Sequence, residues 1–454
     1  MSCKNRSGLV VLALAVLLGA ACGGGGGGRQ GPSGAGATPG PGAPTPSPTP
    51  PGMAGCGSGG ACGCGDTLQG EYNLTTDLQC DGAGITVTSG STLDCGEHTI
   101  TGPGGDNSQF GIYVFQATGA TVRNCRVTGW RRGLRIDQGA GNHVENVEAF
   151  ANGDPVSHRQ GGYGLDVGSS TDNLIETCNV HDNSDEGIHV GGGSDRTTIL
   201  NTSSTGNYRE QLYILQNDGT IVMGVNLQGG NQTSSAALFI KDATGTRVGG
   251  ATIRDGNLTI HGASTGVVVQ DVVQSASGIR FEADGNLVPT GNIVLRSQVS
   301  EAFECVHDRS AIGNTVTDTT FQSCSFSAVA TGSAAQPAVT TLINSPLPAG
   351  PIDLDQSSTL EIGWHLDVEV RDPGGDPVTG AQVTIVDRDD RTVLQAQTGS
   401  DGKIPTADVV ATEIRASATT PLTPLRVSAS KSGSGTAATS IDLGANRLLT
   451  LVLR

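Results

Sequence analysis

Six side chains at one position of a recurring phrase are the best equipped for chemistry in this chain: Tyr113, Arg135, Asp166, His189, Tyr213 and Phe239. An imidazole, a phenol and a carboxylate form a set that can take a proton from one atom and give one to another. A guanidinium beside them can steady the negative charge that develops in between. Asp166 next to His189 favours the imidazolium, which helps a proton donor and hinders a base at neutral pH. His189 as base with Tyr213 as acid, and the reverse assignment, are both open at this level. Glu186 and Glu210 flank the row on one side, Asp137 and Lys241 on the other, and Tyr113 and Phe239 extend it as contact surface.

The phrase that carries these residues must also position them. It reads Gly111-Ile-Tyr-Val114, Gly133-Leu-Arg-Ile136, Gly164-Leu-Asp-Val167, Gly187-Ile-His-Val190, Gln211-Leu-Tyr-Ile214 and Ala237-Leu-Phe-Ile240. Its starts lie 22, 31, 23, 24 and 26 residues apart, self-similarity at the period of a solenoid. Successive side chains of a strand face opposite sides, so the aliphatic second and fourth residues point inward and the third outward. Stacked coils place neighbours in the outward row about 4.8 Å apart. Arg280 and His307 continue the row, and an insertion at 153–162, carrying His158 and Arg159, is placed to form one wall.

A second strand is expected in each coil: Val122-Arg-Asn-Cys-Arg-Val127 is echoed by phrases beginning at Val144, Ile175 and Ile199. Its third position holds Asn124, Asn146, Thr177 and Asn201, where stacked amides can hydrogen-bond along a ladder. Cys125 and Cys178 share one position two coils apart, about 9.6 Å by the strand spacing. That exceeds disulfide reach, so both are expected as buried thiols. Cys56, Cys62, Cys64 and Cys80 cluster where the folded region begins, and a Cys64–Cys80 clamp is the preferred pairing.

Leu93-Asp-Cys-Gly-Glu-His-Thr-Ile-Thr-Gly102 and the phrases after it resemble the coils of right-handed parallel β-helix proteins of the pectate-lyase-like superfamily, over roughly 66–344. The resemblance implies an all-β fold and a row of side chains similar to the sugar-binding stripes of polysaccharide-active β-helices. On that footing Arg135 or Lys241 would neutralise a uronate carboxylate, His189 would abstract the C5 proton, and Tyr213 would protonate the opposite face or the leaving oxygen. Asn-Thr-Asp, Asp-Asp, Gly-His-Gly and Arg-Ile-Lys, the motifs of polygalacturonase-like enzymes, do not occur in 66–344. Tyr163-Gly-Leu-Asp166 resembles part of an alginate-epimerase motif, with Val167-Gly168 in place of Pro-His. A purely structural use of the row also stands, since Arg, Asp and His in sequence make a charge ladder in which exposed pairs contribute about 0–1 kcal/mol each. Asp166 and His189 supply only two metal ligands, and a site needs three or four; neither metal nor cofactor is expected.

Beyond Trp364 the period changes to strict alternation. Leu366–Asp372 and Ala381–Asp387, joined by Asp372-Pro-Gly-Gly-Asp-Pro377, are expected as half-buried antiparallel strands. With Thr398-Gly-Ser-Asp-Gly402 they resemble the carboxypeptidase regulatory-like β-sandwich, an accessory module.

At the other end, Lys4 and Arg6 precede an apolar run, Leu9 to Leu18, too short to span a bilayer. It ends at Gly19-Ala-Ala-Cys22, which resembles a bacterial lipoprotein signal in which Cys22 carries the lipid; Gly23 after it implies the outer membrane. Glycines 23–28 and a Pro/Gly/Ser/Thr-rich stretch to 52 read as a flexible tether. With Cys3 and Cys22 set aside, nine of the 11 cysteines remain, so at least one is unpaired or pairs between chains. A formal charge of −17 argues against nucleic acid and against electrostatic attraction to anionic lipid, and against a polyanionic substrate unless positive charge is gathered locally. The reading is therefore a signal at 1–22, a tether at 23–55, a right-handed parallel β-helix solenoid at 56–347 and a small antiparallel β-sandwich at 360–454. The candidate activity is polysaccharide binding by the Tyr113–Phe239 face, with uronic-acid lyase or C5-epimerase chemistry as the enzymatic alternative.

Overall fold

The computed structural model describes residues 55–57, 59–104, 109–158, 161–229 and 236–454. The signal, the tether up to residue 54 and Arg159 lie outside the described residues.

Three parallel sheets run the length of the solenoid, with 14 strands in the front sheet, 11 in the second and 16 in the third, the last continuing into the C-terminal module. One coil shows the path: front strand Arg132–Asp137, third-sheet strand His143–Glu145, second-sheet strand Glu148–Phe150, then front strand Tyr163–Gly168 of the next coil. Each strand therefore pairs with its counterpart one coil away. The inward Ile112, Leu134, Leu165, Ile188, Leu212 and Leu238 are buried with their partners Val114, Ile136, Val167, Val190, Ile214 and Ile240. Burying each side chain contributes about 1.5–3 kcal/mol, and the repetition makes register strongly specified.

The phrase expected as one second strand is two. Thr121–Arg123 and Arg126–Thr128 belong to different sheets, and between them Asn124 takes a left-handed conformation at φ 55°. Asn146, Thr177 and Asn201 repeat it at φ 49°, 54° and 48°. Asparagine tolerates this region better than most residues because its short polar side chain bonds locally. The corner, invisible to periodicity alone, turns the chain between sheets. The amide ladder is partly formed, Asn146 Nδ2 donating to Asn124 Oδ1 at 2.9 Å. A second ladder, buried, runs Asn152 to Asn183 at 2.9 Å, Asn183 to Asn207 at 2.8 Å and Asn207 to Gln211 Oε1 at 2.7 Å. It satisfies amides at the corner entering the front sheet, where unpaired polar groups would be costly.

Disulfides join Cys56–Cys62, Cys64–Cys80, Cys95–Cys125 and Cys305–Cys324. The Cys64–Cys80 clamp is present. Cys178 is a buried free thiol as expected, but Cys125 is not a thiol. Cys95 occupies the coil just before it, at a Cα–Cα distance of 4.7 Å. One coil is within bridging reach where two are not.

The solenoid runs directly into the C-terminal module. Val339–Ile343 pairs in parallel with the first residues of the 13-residue strand Thr359–Arg371. That strand then pairs antiparallel with Ala407–Arg415 and parallel with Arg447–Val452. A 4-stranded antiparallel sheet covers its far end: Thr392–Gln397, Gln382–Val386, Leu425–Lys431 and Gly435–Ile441. Leu366, Val368 and Val370 share one core with Val383, Ile385 and Val427. The 372–377 turn closes on itself, with Arg371 and Pro377 as antiparallel partners, but the strands Thr359–Arg371 and Gln382–Val386 on either side of it belong to different sheets, because alternation fixes which face of a strand is buried and not which strand lies beside it.

Candidate active site on the front sheet

The outward row forms as its register requires. Tyr113, Arg135, Asp166, His189, Tyr213 and Phe239 are successive partners, followed by Thr259, Arg280 and His307. The structure brings the first six together, and Thr259 fills the coil between Phe239 and Arg280 that the phrase pattern left blank.

Asp166 departs from its neighbours. Its position faces outward, yet it is 1% exposed because three cationic or protonatable groups close over it. His189 Nδ1 is 2.9 Å from Oδ1, Arg135 Nη1 bonds Oδ2, and Arg132 Nε lies 2.8 Å from Oδ2 as an ion pair without hydrogen-bond alignment. Burial pushes the Asp166 carboxyl upward, but His189, Arg132 and Arg135 more than offset it and hold the group below the usual carboxylate range. An ionised carboxylate only accepts hydrogen bonds, so His189 carries its proton on Nδ1 and keeps Nε2 for another partner.

Arg132 was missed by the phrase, which begins one residue after it. It is partner to Phe110 and Tyr163 in the next outward row, and its guanidinium lies 5.7 Å and 5.4 Å from their ring centroids. Strict alternation counted back from Arg135 would turn Arg132 inward, and the two consecutive buried residues between them, Gly133 and Leu134, are what bring it to the outer face instead. From Tyr163 the rings run on continuously: His189 at 4.9 Å, then Tyr213 at 5.6 Å, Phe239 at 5.2 Å and His261 at 5.2 Å, each from the one before. Tyr213 is pushed up to about 12, first by burial and then by Glu186 and Glu210, so it holds its proton at neutral pH. Tyr113 is likewise raised to about 12, by burial and then by Asp137, to which its hydroxyl donates at 3.3 Å.

Glu186 and Glu210 do flank the row, as buried groups rather than an open wall. Arg209 lies 3.3 Å from Asp185 and from Glu186 and 3.4 Å from Glu210, one cation among three carboxyls. Burial first, then Asp185, raises Glu186 to about 9, so it is neutral at physiological pH. Lys241 pairs with Asp284 at 2.7 Å, and Arg135 also reaches Asp137 at 3.1 Å, so both cations proposed for a substrate carboxylate already have internal partners. In the 153–162 insertion His158 stacks on Tyr208 with centroids 3.6 Å apart. Among the described residues no group of three or more His, Cys, Asp or Glu side chains is arranged to hold a metal ion. A hollow of about 590 Å³ elsewhere, lined by Ser333, Asp355, Gln356 and Arg415 among others, contains none of the front-row side chains.

Residues 76–227 match the family described as "Right handed beta helix region". The solenoid is a right-handed parallel β-helix. An alginate lyase from Paenibacillus sp. is similar at 13% identity, covering 65% of this chain and 92% of that chain, with a TM-score of 0.37. The A-module of a mannuronan C-5 epimerase from Azotobacter vinelandii is similar at 15%, covering 59% and 91%, with a TM-score of 0.29. A surface protein and adhesin of Streptococcus pneumoniae is similar at 9%, covering 66% and 92%, with a TM-score of 0.32. No curated protein matches by sequence. At these identities the likeness is one of chain path, and the chemistry of this β-helix must be argued from its own side chains.

Proposed function

We propose that the front sheet acts on a polysaccharide by acid–base chemistry, as a lyase or C5-epimerase of uronic-acid polymers. The observation that carries this reading is Asp166, buried on an otherwise outward-facing row with His189, Arg132 and Arg135 closed over it. A surface row needs no buried charge to fold, and shifted carboxyls beside an imidazole are a mark of functional sites. In this reading His189 Nε2 takes the C5 proton. Tyr213, which keeps its proton, donates to the opposite face or the leaving oxygen, and the ring row from Tyr163 to His261 supports successive sugars. Arg135 and Arg132 would face the substrate carboxylate, which must compete with Asp137 and Asp166 for them. The C-terminal module would be an accessory sandwich of carboxypeptidase regulatory-like type, and lipid on Cys22 would hold the protein at the outer membrane.

Incubating the mature protein with a panel of uronic-acid polymers tests the enzyme. Ultraviolet-absorbing unsaturated product or a changed epimer ratio is expected, and neither on any polymer overturns it. The internal pairing of Arg135 and Lys241 favours one other reading, non-catalytic binding of a neutral glycan. Glycan-array signal lost in Tyr213→Ala, with no turnover, would select that reading.

A further inference from the structure

The outward row two residues beyond the catalytic candidates holds Phe115, Asp137, Gly168 and Gly191, and further along Leu215, Lys241, His261 and Glu282. Side chains fill the flanking coils, and glycine occupies the two coils that contain Asp166 and His189. The ordinary reasons for glycine do not apply there. Neither Gly168 nor Gly191 has a positive φ, and the nearest atoms to an added Cβ at either one are side-chain atoms rather than backbone.

Those atoms are the reactive groups themselves. A Cβ on Gly191 would lie 2.7 Å from His189 Cε1 and 2.9 Å from Nε2, and one on Gly168 would lie 2.9 Å from Arg135 Nη2. Gly164 and Gly187 contrast with them. There an added Cβ would meet Val180 Cγ1 at 2.3 Å and Gly187 O at 2.9 Å, or Ser204 Oγ at 2.1 Å and Gln211 O at 2.8 Å, so the coil's own packing excludes a side chain. At Gly168 and Gly191 only the movable ends of Arg135 and His189 exclude it.

We infer that Gly168 and Gly191 are positioning residues, a bare strip of strand on which the Arg135 guanidinium and the His189 imidazole lie flat and are thereby held onto Asp166. The inference deepens the reading of His189 as an acid–base group and rests on it for its catalytic meaning. A methyl at 191 lifts the Cε1–Nε2 edge of the ring and breaks the Nδ1–Asp166 bond without disturbing the fold. A displacement of about 1 Å at a reacting group costs on the order of 100-fold in rate.

The test uses Gly191→Ala in the mature chain, with Leu215→Ala, in the same row one coil on, as control. The Nδ1 proton of His189, hydrogen-bonded to Asp166, is followed by NMR; the thermal melt is recorded alongside, and kcat and KM where a polymer is turned over. Gly191→Ala should melt like the parent, lose the Nδ1 proton signal and lose on the order of 100-fold in kcat with little change in KM; Leu215→Ala should keep the signal. A folded Gly191→Ala that retains the signal overturns the inference. So does a variant that fails to fold, because the glycine would then serve the backbone. In a crystal structure of Gly168→Ala the Arg135 guanidinium should swing off Asp166, and an unmoved guanidinium overturns its half of the strip. If the parent turns over no polymer, the proposed activity falls while the NMR signal still decides whether Gly191 seats the ring.

Discussion

His189 Nδ1 sits 2.9 Å from Asp166 Oδ1, on a carboxylate that is 1% exposed although its strand position faces outward. The β-helix thus buries a charge on its surface row by closing neighbours over it. That arrangement is destabilising unless every partner is kept.

Asp166→Asn removes the charge that Arg132 and Arg135 share and should cost about 3–5 kcal/mol in urea unfolding at neutral pH. The folded carboxyl lies below the ordinary value of 3.8. Its stabilisation is therefore present above that value and is lost as pH falls through the depressed folded one. The gap between parent and variant should begin to narrow below about pH 4 and close only beneath the depressed folded value; a gap constant with pH would contradict the ion-pair account. Any turnover should fall about 10²–10⁴-fold.

Glu186 has the opposite sign. Its folded value of about 9 lies above the ordinary 4.5, so the folded state holds a proton that the unfolded chain releases. Stability should fall as pH rises from about 4.5 towards 9, by at most about 1.4 kcal/mol per pH unit from this group. Glu186→Gln should match the parent at pH 4 and exceed it at pH 9 in paired denaturation curves.

The four bridges predict a single free thiol, Cys178, in an unreduced, denatured chain that begins at residue 53. Thiol titration reads the number directly. Replacing Cys95 and Cys125 together by Ala opens a link of sequence separation 30 and should cost about 3.6 kcal/mol.

A chain ending at Arg371 keeps the solenoid but strips Ala407–Arg415 and Arg447–Val452 from the strand Thr359–Arg371. The bared edge invites pairing between chains. Size-exclusion chromatography should show aggregates; a soluble monomer would mark the sandwich as dispensable to the solenoid.

Cys22→Ser in the full-length protein should move it from the membrane fraction to the soluble one on cell fractionation. Retention in the membrane would remove the lipid anchor from the proposal.

The fold was legible because repetition amplifies a weak signal. One Gly-Leu-Arg-Ile says little, but six such phrases 22 to 31 residues apart state both the stacking and the inward face. Tyr113 through Phe239 could be placed in one row for the same reason, since parallel register copies position along the stack. The splitting of Val122–Val127 into two strands was not legible. It depends on the left-handed backbone at Asn124, and an inward–outward pattern of six residues reads alike across a corner or along a strand. Cys95 and Cys125 escaped because only Cys125 and Cys178 lie in matching phrases, while the bridge depends on adjacency in space.

By itself, then, the sequence determined the solenoid, its inward aliphatic residues and the membership of the outward row, because a period is a property of the chain read in order. Tertiary structure decided the rest. It brought Arg132 from the neighbouring outward row onto Asp166, buried Glu186 and Glu210 around Arg209, and laid His189 and Arg135 over Gly191 and Gly168. Direction and depth of a side chain depend on which neighbours close over it, and in a stack those neighbours come from coils about two dozen residues away in the chain.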